Sequence, residues 1–158
     1  MAGFIIERAD AENIPELLFL LQQLAQYEDL AGPDEEAQKR LRTDLVDQPP
    51  KYEAVIGRLN ETPIGCVTFF FTYSTFIAKP VLYIEDLFVL KEYRKRGYGK
   101  QLFAFCQKEA VTRGCGRIEL RVLTWNESSI RFYEHRGATR LDWHTYRMEC
   151  NEFDREPK

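Results

Sequence analysis

The residues best suited to chemistry lie together between Val81 and Lys100. Glu85 and Asp86 interrupt Val81–Leu90, a run otherwise made of aliphatic and aromatic side chains. Glu85 in particular is costly to bury in such a run without a role or a partner. Directly afterwards come Arg94, Lys95, Arg96 and Lys100, set around Gly97 and Gly99. An apolar strand, a basic glycine turn and a helix N-terminus together make an anion site. The first free N–H groups of the helix point outward, the dipole favours negative charge, and glycines let the backbone approach a phosphate closely. Two familiar anion loops fail here. A Walker A loop needs a Gly at Arg94 and a Ser or Thr at Gln101. A dinucleotide fingerprint needs a Gly at Leu102. What remains is Arg94-x-x-Gly97-x-Gly99, a pattern that by itself also suits a basic surface turn.

The elements that must position these groups follow from periodicity. Phe4–Arg8 reads as a strand. Asp10 can cap a helix whose Ile14, Leu17, Leu18, Leu21 and Leu24 form one apolar stripe, ending near Gln26-Tyr27-Glu28-Asp29 before Gly32-Pro33. Asp34–Asp47 predicts a more polar helix carrying Leu41, Leu45 and Val46. Strands are expected over Tyr52–Leu59 and Ile64–Tyr73, joined by an Asn60–Pro63 turn, with Gly65 at a bend or bulge. After a loop at Ser74–Pro80 come the Val81–Leu90 strand and a helix over Lys100–Arg113. That helix buries Leu102, Phe103, Cys106 and Ala110 and stops at Gly114-Cys115-Gly116. Arg117–Leu123 predicts a strand. A short helix capped by Asn126 or Ser128 runs through His135 to Gly137. Ala138–Met148 reads as one more extended segment or hairpin arm, and the polar tail Asn151–Lys158 as frayed. The reading is one α+β domain over residues 1–158.

Composition excludes several classes. The chain has 158 residues, 44% hydrophobic and 30% charged, ordinary for a soluble globular domain. A net charge of −3 gives no basic field to attract nucleic acid, and no apolar run reaches the length of a membrane span. Met1-Ala-Gly-Phe lacks the regions of a signal peptide, and Cys66, Cys106, Cys115 and Cys150 are scattered without a C-x-x-C pair. Free thiols in a cytoplasmic protein are expected, with two of them buried. His135 and His144 have no ligand-like neighbours, so no metal is expected.

Two motifs carry a resemblance. The Arg94-x-x-Gly97-x-Gly99 turn resembles the pyrophosphate-binding motif of the GNAT superfamily of acyl-CoA-dependent N-acetyltransferases. The stretch Asn126, Ser129, Phe132-Tyr133 and Gly137-Ala138 resembles that superfamily's second motif, and the two stand in the right order. Tyr27-Glu28, Phe71-Thr72-Tyr73, Tyr83-Ile-Glu85-Asp86-x-Phe88-Val89, Tyr93-Arg94 and Trp125–Ala138 are similar to the diamine (spermidine/spermine) and thialysine N-acetyltransferases, over nearly the whole chain. The resemblance implies a mixed, mostly antiparallel sheet flanked by about four helices, acetyl-CoA as cosubstrate, an amine as acceptor, and a homodimer.

It also implies roles. An alkyl amine with a pKa near ~10.4 is neutral in only about one molecule in ~10³ at pH 7, so its proton must be removed before nitrogen attacks. Glu85 matches the carboxylate that takes it through water; the other reading is a structural pair with an Arg or a backbone amide at a bulge. Tyr133 matches the general acid that protonates the leaving thiolate, unless it is a core aromatic. Leu87, Phe88 and Val89 match the segment whose backbone pairs with pantetheine. Arg94, Lys95, Arg96, Gly97, Tyr98, Gly99 and Lys100 match the pyrophosphate turn. Asn126, Ser129 and His135 match positions on the CoA arm, though Asn126 serves equally as a helix cap.

For the acceptor, Tyr27 and Glu28 match a ring and a carboxylate facing a cationic chain, with a solvated helix end as the alternative. Asp86 either touches substrate or is structural. Trp125 either lines the acceptor groove or packs. The chain departs from the polyamine enzymes at Ser74, where they carry Asp, and at the less acidic Arg140–Tyr146. Fewer carboxylates weaken the grip on a long polycation and favour a short diamine, thialysine or another small amine. A protein lysine as acceptor, and a CoA-binding regulatory module without turnover, remain open.

Overall fold

The β-branched and aromatic runs pair in the order in which they occur. In the computed structural model, which describes residues 3–153, the strands are β1 (Phe4–Arg8), β2 (Glu53–Leu59), β3 (Thr62–Ser74), β4 (Lys79–Val89) and β5 (Arg117–Leu120). Their order in the sheet is their order in the chain. The first four are antiparallel neighbours, and β5 joins β4 in parallel after the crossover through a helix. The helices are α1 (Ile14–Tyr27), α2 (Glu35–Val46), α3 (Tyr98–Thr112) and α4 (Glu127–Glu134). The chain falls into two compact units, divided between Arg121 and Val122.

In the first unit the sheet is buried on both faces. Ile14, Leu17, Leu18, Leu20 and Leu24 of α1, with Leu45 of α2, pack on Ala54, Ile56, Cys66 and Phe88. The apolar stripe of α1 is as expected except that Leu20 is fully buried and Leu21 only partly so. Leu102, Phe103, Cys106 and Ala110 of α3 are buried as expected, and the Phe105 ring meets that of Phe69. Leu102 also lies against Gly57 and Gly65. Asp10 accepts from the N–H groups of Glu12 and Asn13, while Asn13 Oδ1 accepts from Asp10 N–H, a reciprocal cap. Asp34 caps α2 through Ala37 N–H at 2.8 Å.

Two irregularities shape the sheet. Between β2 and β3 the register slips at Gly57/Arg58, which leaves Ile64 as the extra residue beside Gly65, the expected bulge position. Between β3 and β4, Thr68 pairs with Asp86 but Phe69 pairs with Ile84, so Glu85 is the extra residue. Cross-strand partners point to the same face, so this bulge turns Asp86 away from Ile84, which plain alternation would place beside it.

Strand β5 is shorter than the expected Arg117–Leu123, ending at Leu120. The second unit holds α4, capped by Asn126 through Ser129 N–H at 3.3 Å, and a 3-10 turn at Cys150–Glu152. Of the two readings of Ala138–Met148, an extended segment or a hairpin arm, the hairpin arm is overturned: no strand is assigned there. Its β-branched and aromatic residues favour an extended backbone, but among the described residues no strand in this unit offers a ladder to join. The expected frayed tail lies, beyond Phe153, outside the described residues. All four cysteines are free, Cys66 and Cys106 buried. Among the described residues no helix is long and apolar enough to cross a membrane.

Candidate active site

The site begins where β4 loses one neighbour. The parallel ladder with β5 ends at Ile84–Leu120. From Glu85 to Val89, β4 is held by β3 alone among the described strands. This segment contains Leu87, Phe88 and Val89, which pair with no second strand among the described ones, and the Val89 carbonyl accepts from Arg94 Nε–H instead. Gly65 lies under the segment: a Cβ there would sit 2.6 Å from the Phe88 carbonyl oxygen, so only a glycine lets β3 approach so closely.

Beyond β4, a 3-10 turn at Lys91–Tyr93 leads into the basic loop. Lys95 and Gly97 both adopt positive φ, 62° and 86°. Gly97 is the N-cap of α3, and no side chain caps that helix start. A Cβ at Gly97 would meet nothing within 4 Å, so the space over the turn is open. Successive N–H groups in an αL turn and an uncapped first turn form an anion nest, flanked by exposed Lys95, Arg96 and Lys100. Tyr98 packs its ring on Phe4, 4.7 Å between centroids, which anchors α3 to β1.

The bulge and the end of α1 bring three expected acceptor residues together. Glu28, the C-cap of α1, is held by Leu24 O, 2.9 Å from its N–H. Its carboxyl is raised above the ordinary range, first by burial and then by the charge of Glu85. Asp86 accepts a short hydrogen bond from the Thr68 hydroxyl. Burial pushes its carboxyl up to about 6; the Thr68 bond opposes this, while Glu85 and Glu28 add to it. Two carboxyls raised first by burial and then by the charge of a neighbouring carboxylate mark a place that suits a cation. One premise is corrected: Glu85 is exposed, so the cost of burial falls on Asp86 instead. The bulge turns Glu85 out of the packed sheet.

Tyr27 is 38% exposed, and its ring lies 6.4 Å from that of Phe88. Arg94, expected at the anion, is half-buried: its Nε–H donates to Val89 O at 2.8 Å and its guanidinium lies over the Tyr27 ring at 4.3 Å. That stack was not legible from spacing, because its members are far apart in sequence.

The second unit carries the remaining expected residues. Asn126 is buried and its side chain serves as the helix cap. Ser129, whose N–H it receives, is half-buried. Tyr133 is buried and packs edge-on against Phe132 at 5.1 Å. Its carbonyl accepts from the N–H of Arg136 and of Ala138. Arg136 lies over the Phe132 ring at 3.6 Å and donates to the Phe132 carbonyl at 2.8 Å. His135 is exposed and its Nδ1–H donates to Arg131 O at 2.7 Å, which leaves Nε2 as the acceptor of this tautomer. Trp125 is 53% exposed.

Comparison with known proteins agrees with these features. The profile of the acetyltransferase (GNAT) family matches residues 16–138. A thialysine N-epsilon-acetyltransferase from Bos taurus is 29% identical over 161 residues, covering 94% of each chain. An L-ornithine N5-acetyltransferase from Arabidopsis thaliana is 40% identical over 99 residues, covering 61% of this chain and 43% of that one. Among solved structures, an aminoglycoside N-acetyltransferase in complex with CoA superposes with a TM-score of 0.81 at 20% identity, covering 95% of this chain and 97% of the other.

Proposed function

Since the chain belongs to the acetyltransferase (GNAT) family, whose members use acetyl-CoA, we propose that it acetylates a primary amine of a small diamine or amino acid of thialysine or ornithine size. The observation that carries this reading is the triad Glu28, Glu85 and Asp86 near the singly paired segment of β4, with the uncapped turn beyond that strand. Burial first, and the charge of Glu85 after it, raise Glu28 and Asp86, and a bound cation offsets both.

Acetyl-CoA, when bound, supplies the thioester carbonyl that the neutral nitrogen attacks and the thiolate that leaves. The residues available fit it: the singly paired β4 segment Leu87–Val89 for the amides of its arm, and the Lys95–Lys100 turn for its pyrophosphate. Asn126, Ser129 and His135 are assigned to the same arm from the motif they share with the family. Glu85, being exposed, has access to water and takes the ammonium's proton through it. Glu28 and Asp86 hold the cation and Tyr27 flanks it, while in the second unit Trp125 is assigned to the acceptor and Tyr133 to the phenolic proton for the departing sulfur. The last two assignments rest on motif position.

A short acceptor is favoured by the β3–β4 hairpin, where Ser74 pairs with Lys79, a cation, and offers no carboxylate to a second ammonium. We take residues 1–158 as one functional domain, since the family match spans both units. The four free thiols support a cytoplasmic setting. We also propose a homodimer, which a monomeric mass by light scattering refutes. The deciding experiment is thiol release from acetyl-CoA across putrescine, ornithine, thialysine, spermidine, spermine and a lysine peptide. A higher kcat/KM for the short amines than for spermine supports the proposal. Turnover of the peptide alone, or silence with CoA still bound, replaces it with a protein acceptor or a binding module.

A further inference from the structure

Arg94 stands at the start of the basic turn, yet its contacts run the other way. Its Nε–H donates to the Val89 carbonyl at 2.8 Å. The guanidinium carbon lies 4.3 Å from the centroid of the Tyr27 ring and 5.3 Å from that of Phe88. The two rings are themselves 6.4 Å apart. One planar cation is therefore fixed at its edge by the backbone of β4 and at its face by a ring from the last residue of α1. A guanidinium can do both at once; an ammonium, a point charge without a plane, cannot. The residue after Tyr27 is Glu28, whose carboxyl already feels Glu85.

We propose that Arg94 is a positioning residue for the acceptor amine, tying the end of α1 to the end of β4 so that Glu28 is held beside the strand carboxylates. The proposal rests on the acetyltransferase reading above and deepens it. Arg94 also begins the turn proposed for the donor's phosphates, so one residue adjoins both half-sites.

The test compares Arg94→Lys, Tyr27→Leu, Tyr27→Phe and the double variant Arg94→Lys/Tyr27→Leu, each checked for a cooperative thermal transition. Arg94→Lys keeps the charge for the anion but loses the plane. It is expected to raise the amine KM by about 5- to 30-fold, the range of a partly buried cation–π contact, while the acetyl-CoA Kd from calorimetry changes by less than about threefold. Tyr27→Leu gives a similar rise, and Tyr27→Phe, which keeps the ring face, rescues it. The double variant is no worse than either single one, because both remove the same contact. An Arg94→Lys enzyme with weakened acetyl-CoA binding and an unchanged amine KM overturns the proposal, as do additive effects in the double variant. A wild-type enzyme that acetylates no amine overturns the acetyltransferase reading and this inference with it, and is recognised before any variant is made.

Discussion

Replacing Asp86 by Asn tests the carboxylate cluster in two ways that have opposite signs. The Asp86 carboxyl releases its proton near 6 when folded, rather than near 3.8. Between those pH values the folded protein keeps a proton that the unfolded chain has lost. Stability therefore falls as pH rises through this window, by about 2–3 kcal/mol, and stays low above it. Activity moves the other way, since an ionised carboxylate holds the ammonium, and kcat/KM for the amine rises through about pH 6 to a plateau. Asp86→Asn removes the charge and keeps an oxygen to accept from Thr68. Urea unfolding from pH 4.5 to 8 is expected to show the variant more stable than wild type above pH 6, with a flatter profile below. Thiol-release rates are expected to show a plateau lowered about 10- to 100-fold, the range of a hydrogen bond to a charged group. A variant that is less stable at pH 8, or one whose acid limb still falls at about 6, refutes the argument that Asp86 is a strained, cation-seeking group.

Three further outcomes are expected. Gly65→Ala brings a Cβ to 2.6 Å from the Phe88 carbonyl, so it costs about 1–3 kcal/mol in unfolding free energy and is expected to raise the acetyl-CoA KM, because the displaced backbone belongs to the segment proposed for the donor. Gly97→Ala meets no atom but forces a side chain into positive φ; thermal unfolding should register only about 1 kcal/mol, while calorimetry registers a several-fold weaker acetyl-CoA Kd. Tyr133→Phe lowers kcat by about 10²-fold or more and leaves acetyl-CoA binding intact; an unchanged kcat returns Tyr133 to a packing role.

The local features were legible in the sequence because they depend on neighbours. Asp34 and Asn126 cap the helices that follow them, and the glycines mark the start of α3 and the end of α4. The features that position chemistry were less so. Strand alternation cannot say which of two adjacent carboxylates a bulge turns out, so the burial argument was attached to Glu85 when it belonged to Asp86. The Tyr27–Phe88–Arg94 stack depends on tertiary packing that no local pattern encodes. Ala138–Met148 has strand-forming residues, but propensity states a preference and pairing needs a partner.

The order of the strands has a consequence for how such a protein can change. The edge and the turn proposed for the donor grow out of the β2–β3–β4 meander and α3, while Tyr27 and Glu28, proposed for the acceptor, come from the long excursion, residues 9–52, between two paired strands. Exchange of that excursion between relatives would alter which amine is accepted and leave the donor machinery in place. Arg94 is the point at which a transplanted helix end would have to be refitted. A chimaera carrying a foreign α1–α2 segment is thus expected to succeed only when it brings an aromatic residue to the position of Tyr27.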